Sequence, residues 1–189
     1  MTSEPRLFHF VGGDHGSLRV RSVTAVAGTG LPACDRLHLG VGHADATIAR
    51  RAAWLLHGIR SNERYTDRRE HGRLLATQAR LGRPGATRGA ILPIRKNAAW
   101  WSLPQDERLA IFTARSRHTE IGQRHLPAIA RRLFHCRDLA EDAPFDFVTL
   151  FDFVPEHESA FDELLGALRA SEEWHYVERE VDVRFERAD

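Results

Sequence analysis

Apolar residues recur along this chain in two rhythms, every second position and every third or fourth, and their order lays out the fold. Alternation marks a half-buried strand, because successive side chains leave a pleated backbone on opposite faces. Over Phe145–Val154, Phe145, Phe147, Thr149, Phe151 and Phe153 fall on one face with period two. The last strand, Tyr176–Arg187, alternates with Arg179 as its exception: Val177, Val181, Val183 and Phe185 are expected to face in, and Glu178, Glu180, Asp182 and Arg184 to face out. Between the two, Glu158–Ser171 carries Phe161, Leu164, Leu165 and Leu168 at the spacing of one helical stripe.

Upstream, Pro104 opens a helix with Asp106 and Glu107 in its first turn, where the helix dipole favours negative charge. It is expected to run past Leu109 and Phe112 to about Arg124. Leu133–Arg137 reads as a strand, joined to the Phe145–Val154 strand by the turn Glu141-Asp142-Ala143-Pro144. Thr87–Lys96, after Gly82-Arg83-Pro84-Gly85, is another strand. The order from Thr87 is therefore β-α-β-β-α-β, the ferredoxin-like unit.

The first half reads as a partial copy. Arg6–Val11 and Leu18–Ala27 are expected to pair as a hairpin around Gly12-Gly13-Asp14-His15-Gly16, and Gly28–Asp45 to form a loop. Ala52–Ser61 is a strand, and Thr66–Leu81 a helix carrying Leu74, Leu75 and Gln78. Two such units sharing a sheet give an α+β chain with helices covering one side. The expected division is a reduced N-terminal half over residues 1–85 and a complete C-terminal half over 86–189, in one compact structural unit.

Charge narrows the function. Lys and Arg number 27 against 26 Asp and Glu, which leaves no basic excess of the kind nucleic-acid affinity rests on. The pairs Arg50-Arg51, Arg68-Arg69 and Arg131-Arg132 are scattered, and Arg68-Arg69 is flanked by Asp67 and Glu70, so they read as solvated surface. Cys34 and Cys136 are the two cysteines; they allow no disulfide framework, CxxC zinc pair or CxxCH haem attachment. The opening MTSEPRLFHFVGG lacks the basic, apolar and small-residue order of a secretory leader, and no span reaches bilayer length. A cytoplasmic chain without a membrane partner is expected, although a mature chain whose leader had been removed would read the same.

Several residues admit more than one reading. His118, near the expected helix end, is a C-terminal charge, a satisfied surface group or a ligand. Arg131 follows it by thirteen positions, well round the wheel at about 100° per residue, with Pro127 between to interrupt the helix. It is either a snorkelling side chain or an anion clamp facing the Phe-rich strand. Glu173 follows the last helical stripe, where a carboxylate opposes the dipole and invites a specific partner. Lys96 closes its strand just before Trp100-Trp101, a pair suited to core and lid or to the rim of a flat aromatic cofactor.

The segments ATRGAILPIRKNAAWW (Ala86–Trp101), RHTEIGQRHLPAIARRLFHCRD (Arg117–Asp138), PFDFVTLFDF (Pro144–Phe153) and EEWHYVEREVD (Glu172–Asp182) resemble the chlorite dismutases, in particular their short, dimeric branch. The resemblance runs from about Ala52 to Arg187 and is looser over the N-terminal forty residues. It implies the dimeric α+β barrel superfamily, a homodimer and a haem b cofactor. His118 matches the axial iron ligand, Glu173 the carboxylate that accepts the proton of its other ring nitrogen, and Lys96 the partner of that carboxylate. Trp100 and Trp101 match tryptophans beside the porphyrin. Arg131 matches the distal arginine and Gln78 the glutamine that orients it, while Leu126, Thr149 and Phe151 match residues lining the distal pocket.

The implied activity is conversion of chlorite to chloride and dioxygen through a ferryl species and a transient hypochlorite fragment. A carboxylate behind the histidine raises its basicity, and an arginine gives the distal side a permanent cation. Two alternatives share the fold: a coproheme decarboxylase, whose branch generally lacks the arginine that Arg131 matches and has longer chains, and a haem-binding protein without chlorite turnover.

Overall fold

Eight antiparallel strands close on themselves into a barrel in the computed structural model, which describes residues 5–61, 79–140 and 142–187. The strands are β1 (Leu7–Gly13), β2 (Leu18–Ala27), β3 (Arg36–Val41), β4 (Ala52–Arg60), β5 (Arg88–Lys96), β6 (Ala130–His135), β7 (Phe147–Phe153) and β8 (Val177–Arg187). Around the ring they run β1-β3-β2-β8-β5-β7-β6-β4. The two halves repeat one internal order, β4-β1-β3-β2 and β8-β5-β7-β6, each with its fourth strand beside its first.

Period two divides the strands between two cores. Phe10, Leu37, Leu56, Ile91, Phe134, Val148, Val181, Val183 and Phe185 fill the barrel. Ala90, Leu92, Phe151 and Phe153 face outward and are covered by the stripe Phe161, Leu164, Leu165 and Leu168. Those four belong to the 12-residue helix Glu158–Arg169, within the span expected for it. One seam of the barrel is long, with β2 paired to β8 from Leu18 to Ala27. The other holds two residue pairs, Ile59 with His135 and Arg60 with Phe134. It closes tightly there because Gly58 has no side chain: a Cβ would lie 2.6 Å from that of Phe134.

Several expectations are corrected. β1 and β2 do not form a hairpin; β3, inside the stretch expected to be a loop, pairs with both. Leu37 and Leu39 are the only inward apolar positions of β3, too few for period two to stand out from the Gly and Pro around them. The helix expected to run to Arg124 is broken. Its first part, Gln105–Ala110, loosens into a π turn over Ile111–Arg115, Arg117 turns left-handed (φ 50°), and a new helix spans His118–Arg124. β6 begins at Ala130 rather than Leu133, so Arg131 lies within a strand. Phe145 packs into the barrel instead of sharing the outer face of β7.

Glu180 and Asp182 do face out of the barrel, as the alternation says, but they are buried, at 0% and 6% exposure. A strand can be covered on both faces, and alternation alone gives sidedness rather than exposure. Residues 66–78 of the expected helix Thr66–Leu81 lie outside the described residues. No helix among the described residues is long and apolar enough to cross a membrane.

Phe134 joins the barrel core through edge-to-face contacts with Phe8 and Phe10, at 5.1 and 5.0 Å between centroids. Phe134→Ala is expected to cost about 3–5 kcal/mol in chemical denaturation, and Leu139→Ala, at an exposed position, no more than about 0.5 kcal/mol.

Candidate functional site

The break at Arg117 makes His118 the first residue of its helix, here α4 (His118–Arg124), after α1 (Ala46–Arg50), α2 (Ala98–Ser102) and α3 (Gln105–Ala110). The reading of His118 as a charge at a helix C-terminus therefore falls. Its Nδ1 lies 2.7 Å from Oε2 of Glu173. The other carboxylate oxygen accepts from Lys96 Nζ at 2.8 Å, and the same ammonium donates to the Glu173 carbonyl at 3.3 Å. Three distant stretches thus meet: the end of β5, the start of α4, and the 3-10 turn Glu172–Tyr176 after α5 (Glu158–Arg169).

Lys96 and Glu173 are both 5% exposed. Burial alone would push the Glu173 carboxyl up, but the charge and hydrogen bond of His118, followed by those of Lys96, outweigh it and hold the pKa at about 2. A metal on Nε2 would leave the imidazole neutral with its proton on Nδ1, and an ionised Glu173 is placed to accept that proton. Phe112 stacks on the imidazole at 4.3 Å.

Two supporting residues had not been singled out in the sequence. The backbone N–H of Glu173 donates to Ser116 Oγ at 2.8 Å. That of Lys96 donates to buried Asp146 at 2.6 Å. A serine and an aspartate in turns carry no signal of such a task; their partners are 57 and 50 positions away.

The tryptophan pair divides between its two readings. Trp100 is buried, 4.7 Å from Lys96 Nζ and 5.4 Å from the Tyr176 ring, and forms part of the wall around the ammonium. Trp101 borders a cavity of about 230 Å³ together with Gln105, Arg108, His135, Arg137, Asp138 and Phe147. The Arg137 guanidinium lies 3.9 Å from its ring centre. Trp101 Nε1 and Arg108 Nε are buried donors without a hydrogen-bond partner.

Arg131, Leu133 and His135 stand on the outer face of β6, opposite Phe151, Thr149 and Phe147 of β7. A Cβ at Gly122 would lie 3.7 Å from the Arg131 guanidinium carbon. Gly122 is one helical turn beyond His118 on the same face of α4, so Arg131 lies against the helix that His118 begins. Leu133, between Arg131 and His135 on that outer face and opposite Thr149, is 36% exposed. Thr149 is half-buried there, Leu126 half-buried in the turn after α4, and Phe151 packs on Phe161 at 5.1 Å. Gln78 lies outside the described residues.

No family model and no curated protein sequence matches the chain. Among solved structures, the dimeric chlorite dismutase from Nitrobacter winogradskyi is similar with 48% identity and a TM-score of 0.88, over 95% of this chain and 99% of that one. The chain belongs to the chlorite dismutase family. A mutant chlorite dismutase from Candidatus Nitrospira defluvii (16% identity, TM-score 0.68, 99% and 93% of the two chains) shares the fold. So does the imidazole complex of the enzyme from that organism (19%, TM-score 0.65, 97% and 92%).

The enzymes of this family use haem b, and the residues present fit it. Among the described residues, no three metal-ligating side chains converge. An iron already held by a porphyrin needs only one protein nitrogen, and His118 offers it. The unpaired donors of Trp101 and Arg108, with Arg137 beside them, suit the carboxylates at a porphyrin edge.

In the haem-free protein, Lys96→Met leaves Glu173 with one partner and is expected to cost about 3–5 kcal/mol near neutral pH. Because the Glu173 pKa is lowered from 4.5 to about 2, the stability it contributes is full above 4.5 and lost as pH falls towards 2. The gap between wild type and variant therefore narrows over that interval, as urea titrations at a series of pH values would measure. A gap that stays constant would mean that Lys96 acts only by packing on the indoles.

Proposed function

We propose that this chain binds haem b through His118 and converts chlorite to chloride and dioxygen. The observation that carries the reading is the His118–Glu173–Lys96 relay, with Arg131 against Gly122, one helical turn beyond His118. When bound, the haem would supply the redox centre at which the chlorine oxyanion gives up its oxygen.

The protein residues have separate tasks. Glu173 keeps the Nδ1 proton directed at itself and makes the imidazole a stronger donor through Nε2. Lys96 holds the carboxylate in place and offsets its burial. Trp101, Arg108 and Arg137 would receive the carboxylates of the porphyrin, and Trp100 encloses Lys96. Arg131 supplies a cation whose charge is constant over the working pH range. It retains a small anion without offering a proton, which suits a reaction whose atoms and charge balance as one chlorite to one chloride and one dioxygen. Leu126, Thr149 and Phe151 would line that distal side, and Gln78 would orient Arg131.

The repeated strand order supports reading the chain as two ferredoxin-like units: residues 1–85, in which only the five-residue α1 is described between strands, and residues 86–189, which carry the haem. We take the protein to work as a homodimer, like its Nitrobacter relative. Two cysteines outside any disulfide suit a reducing compartment such as the cytoplasm.

The absorption spectrum of the purified protein, followed by oxygen-electrode measurement on adding chlorite, tests the proposal. A Soret band with rapid release of one dioxygen per chlorite is expected; haem binding without oxygen release would reject the activity. His118→Ala should lose the haem or hold it weakly, and full retention with an unchanged spectrum would remove it as the ligand. Arg131→Ala should keep the haem but release hypochlorite, bleach sooner and lower the total oxygen yield per enzyme. An unchanged yield would count against confinement by Arg131.

A further inference from the structure

The Glu172–Tyr176 turn that carries Glu173 is a single 3-10 segment, a conformation with poor internal hydrogen-bond geometry. Its position must be held from outside. Glu180, on β8, is fully buried. Its Oε1 accepts from Nε and Nη2 of Arg169 at 3.0 and 2.6 Å, and its Oε2 accepts from Trp174 Nε1 at 3.0 Å. One carboxylate therefore joins the last residue of α5, the middle of the turn and the strand that follows.

Trp174 is the chain neighbour of Glu173, and its indole lies 5.6 Å from Lys96 Nζ, across from the Trp100 ring at 4.7 Å. The ring that Glu180 holds is thus one wall of the site in which Lys96 meets Glu173. We infer that Glu180 is a positioning residue: through Trp174 it sets how closely Glu173 approaches His118, and so how strongly the imidazole donates. The inference rests on the haem reading above.

Burying a carboxylate and a guanidinium together is a weak source of stability, since desolvation offsets the attraction; fixing one arrangement among several is a better-supported use of such groups. The helix does not depend on Glu180 alone. Arg169 also reaches Asp182 at 3.3 Å, and Arg184 bridges Asp182 at 2.7 Å and Asp162 at 2.8 Å. Substitution at Glu180 would therefore loosen the turn while leaving α5 tethered.

The test uses the haem-loaded protein. Trp174→Phe removes the N–H and keeps a large ring; Glu180→Gln keeps the shape and removes the charge. Leu37→Ala, in the barrel core and apart from the cluster on which Trp174 packs, is the control that weakens packing without touching the carboxylate or the indole. Three quantities are read: melting temperature, the ferric–ferrous potential and the iron–histidine stretching frequency of the ferrous protein.

Trp174→Phe and Glu180→Gln are expected to raise the potential and lower the stretching frequency, because a displaced Glu173 leaves the imidazole less anionic. Leu37→Ala is expected to lower the melting temperature with both haem readings at wild-type values. Wild-type potential and frequency in Trp174→Phe and Glu180→Gln, or shifts no larger than those of Leu37→Ala, would overturn the inference. If that result comes while His118→Ala loses its haem, the positioning role alone fails. If His118→Ala keeps an unchanged haem spectrum, both the haem reading and this inference fall.

Discussion

A carboxylate buried between an imidazole and an ammonium is the interaction around which this molecule is arranged. Glu173 alone in that place would be costly, since a desolvated charge without partners shifts its pKa or forces the structure to open. Here the partners prevail, and the carboxyl is held at about 2. Each of its handles is occupied: two side-chain oxygens, the backbone N–H on Ser116 and the carbonyl on Lys96. A group so fully bonded can hold a ligand in one tautomer and one orientation.

The barrel brings those handles together. β5 delivers Lys96 at its end, the chain between β5 and β6 delivers His118, and the passage from α5 to β8 delivers Glu173. All three sit on the outer side of the C-terminal half, where the helices pack. Leu133, on the outer face of β6 with Arg131, is partly exposed. In the N-terminal half the same strand order recurs. The described residues there place one short helix, α1, in the chain between its strands.

Legibility in the sequence varied with the locality of the signal. The stripe on α5 and the alternation of β7 and β8 are properties of about a dozen contiguous residues, and they hold in three dimensions apart from Phe145, which lies before β7 and turns into the barrel. β3 was missed because its apolar pattern is two residues long and its place is decided by strands on either side. The helix break at Arg117 left no Gly or Pro to announce it, yet it determines where His118 points. For the site, the matched family motifs picked out His118, Glu173 and Lys96, and these three meet. Ser116 and Asp146 escaped notice and Glu180 was read only as an outward-facing residue, since the partner of each depends on the folded chain.

By itself the sequence determined which segments are strands and helices over most of the second half, and which residue types were present for haem chemistry. It did so because propensity, period and motif are written in neighbouring positions. Only the tertiary structure decided that β3 separates β1 from β2 and that Glu180 and Asp182 are covered rather than wet. It also decided that one carboxylate is shared by an imidazole 55 positions and an ammonium 77 positions away. The reason is physical: burial and pairing are relations between distant parts of the chain, and they exist only once the barrel has closed and the helices have packed against it.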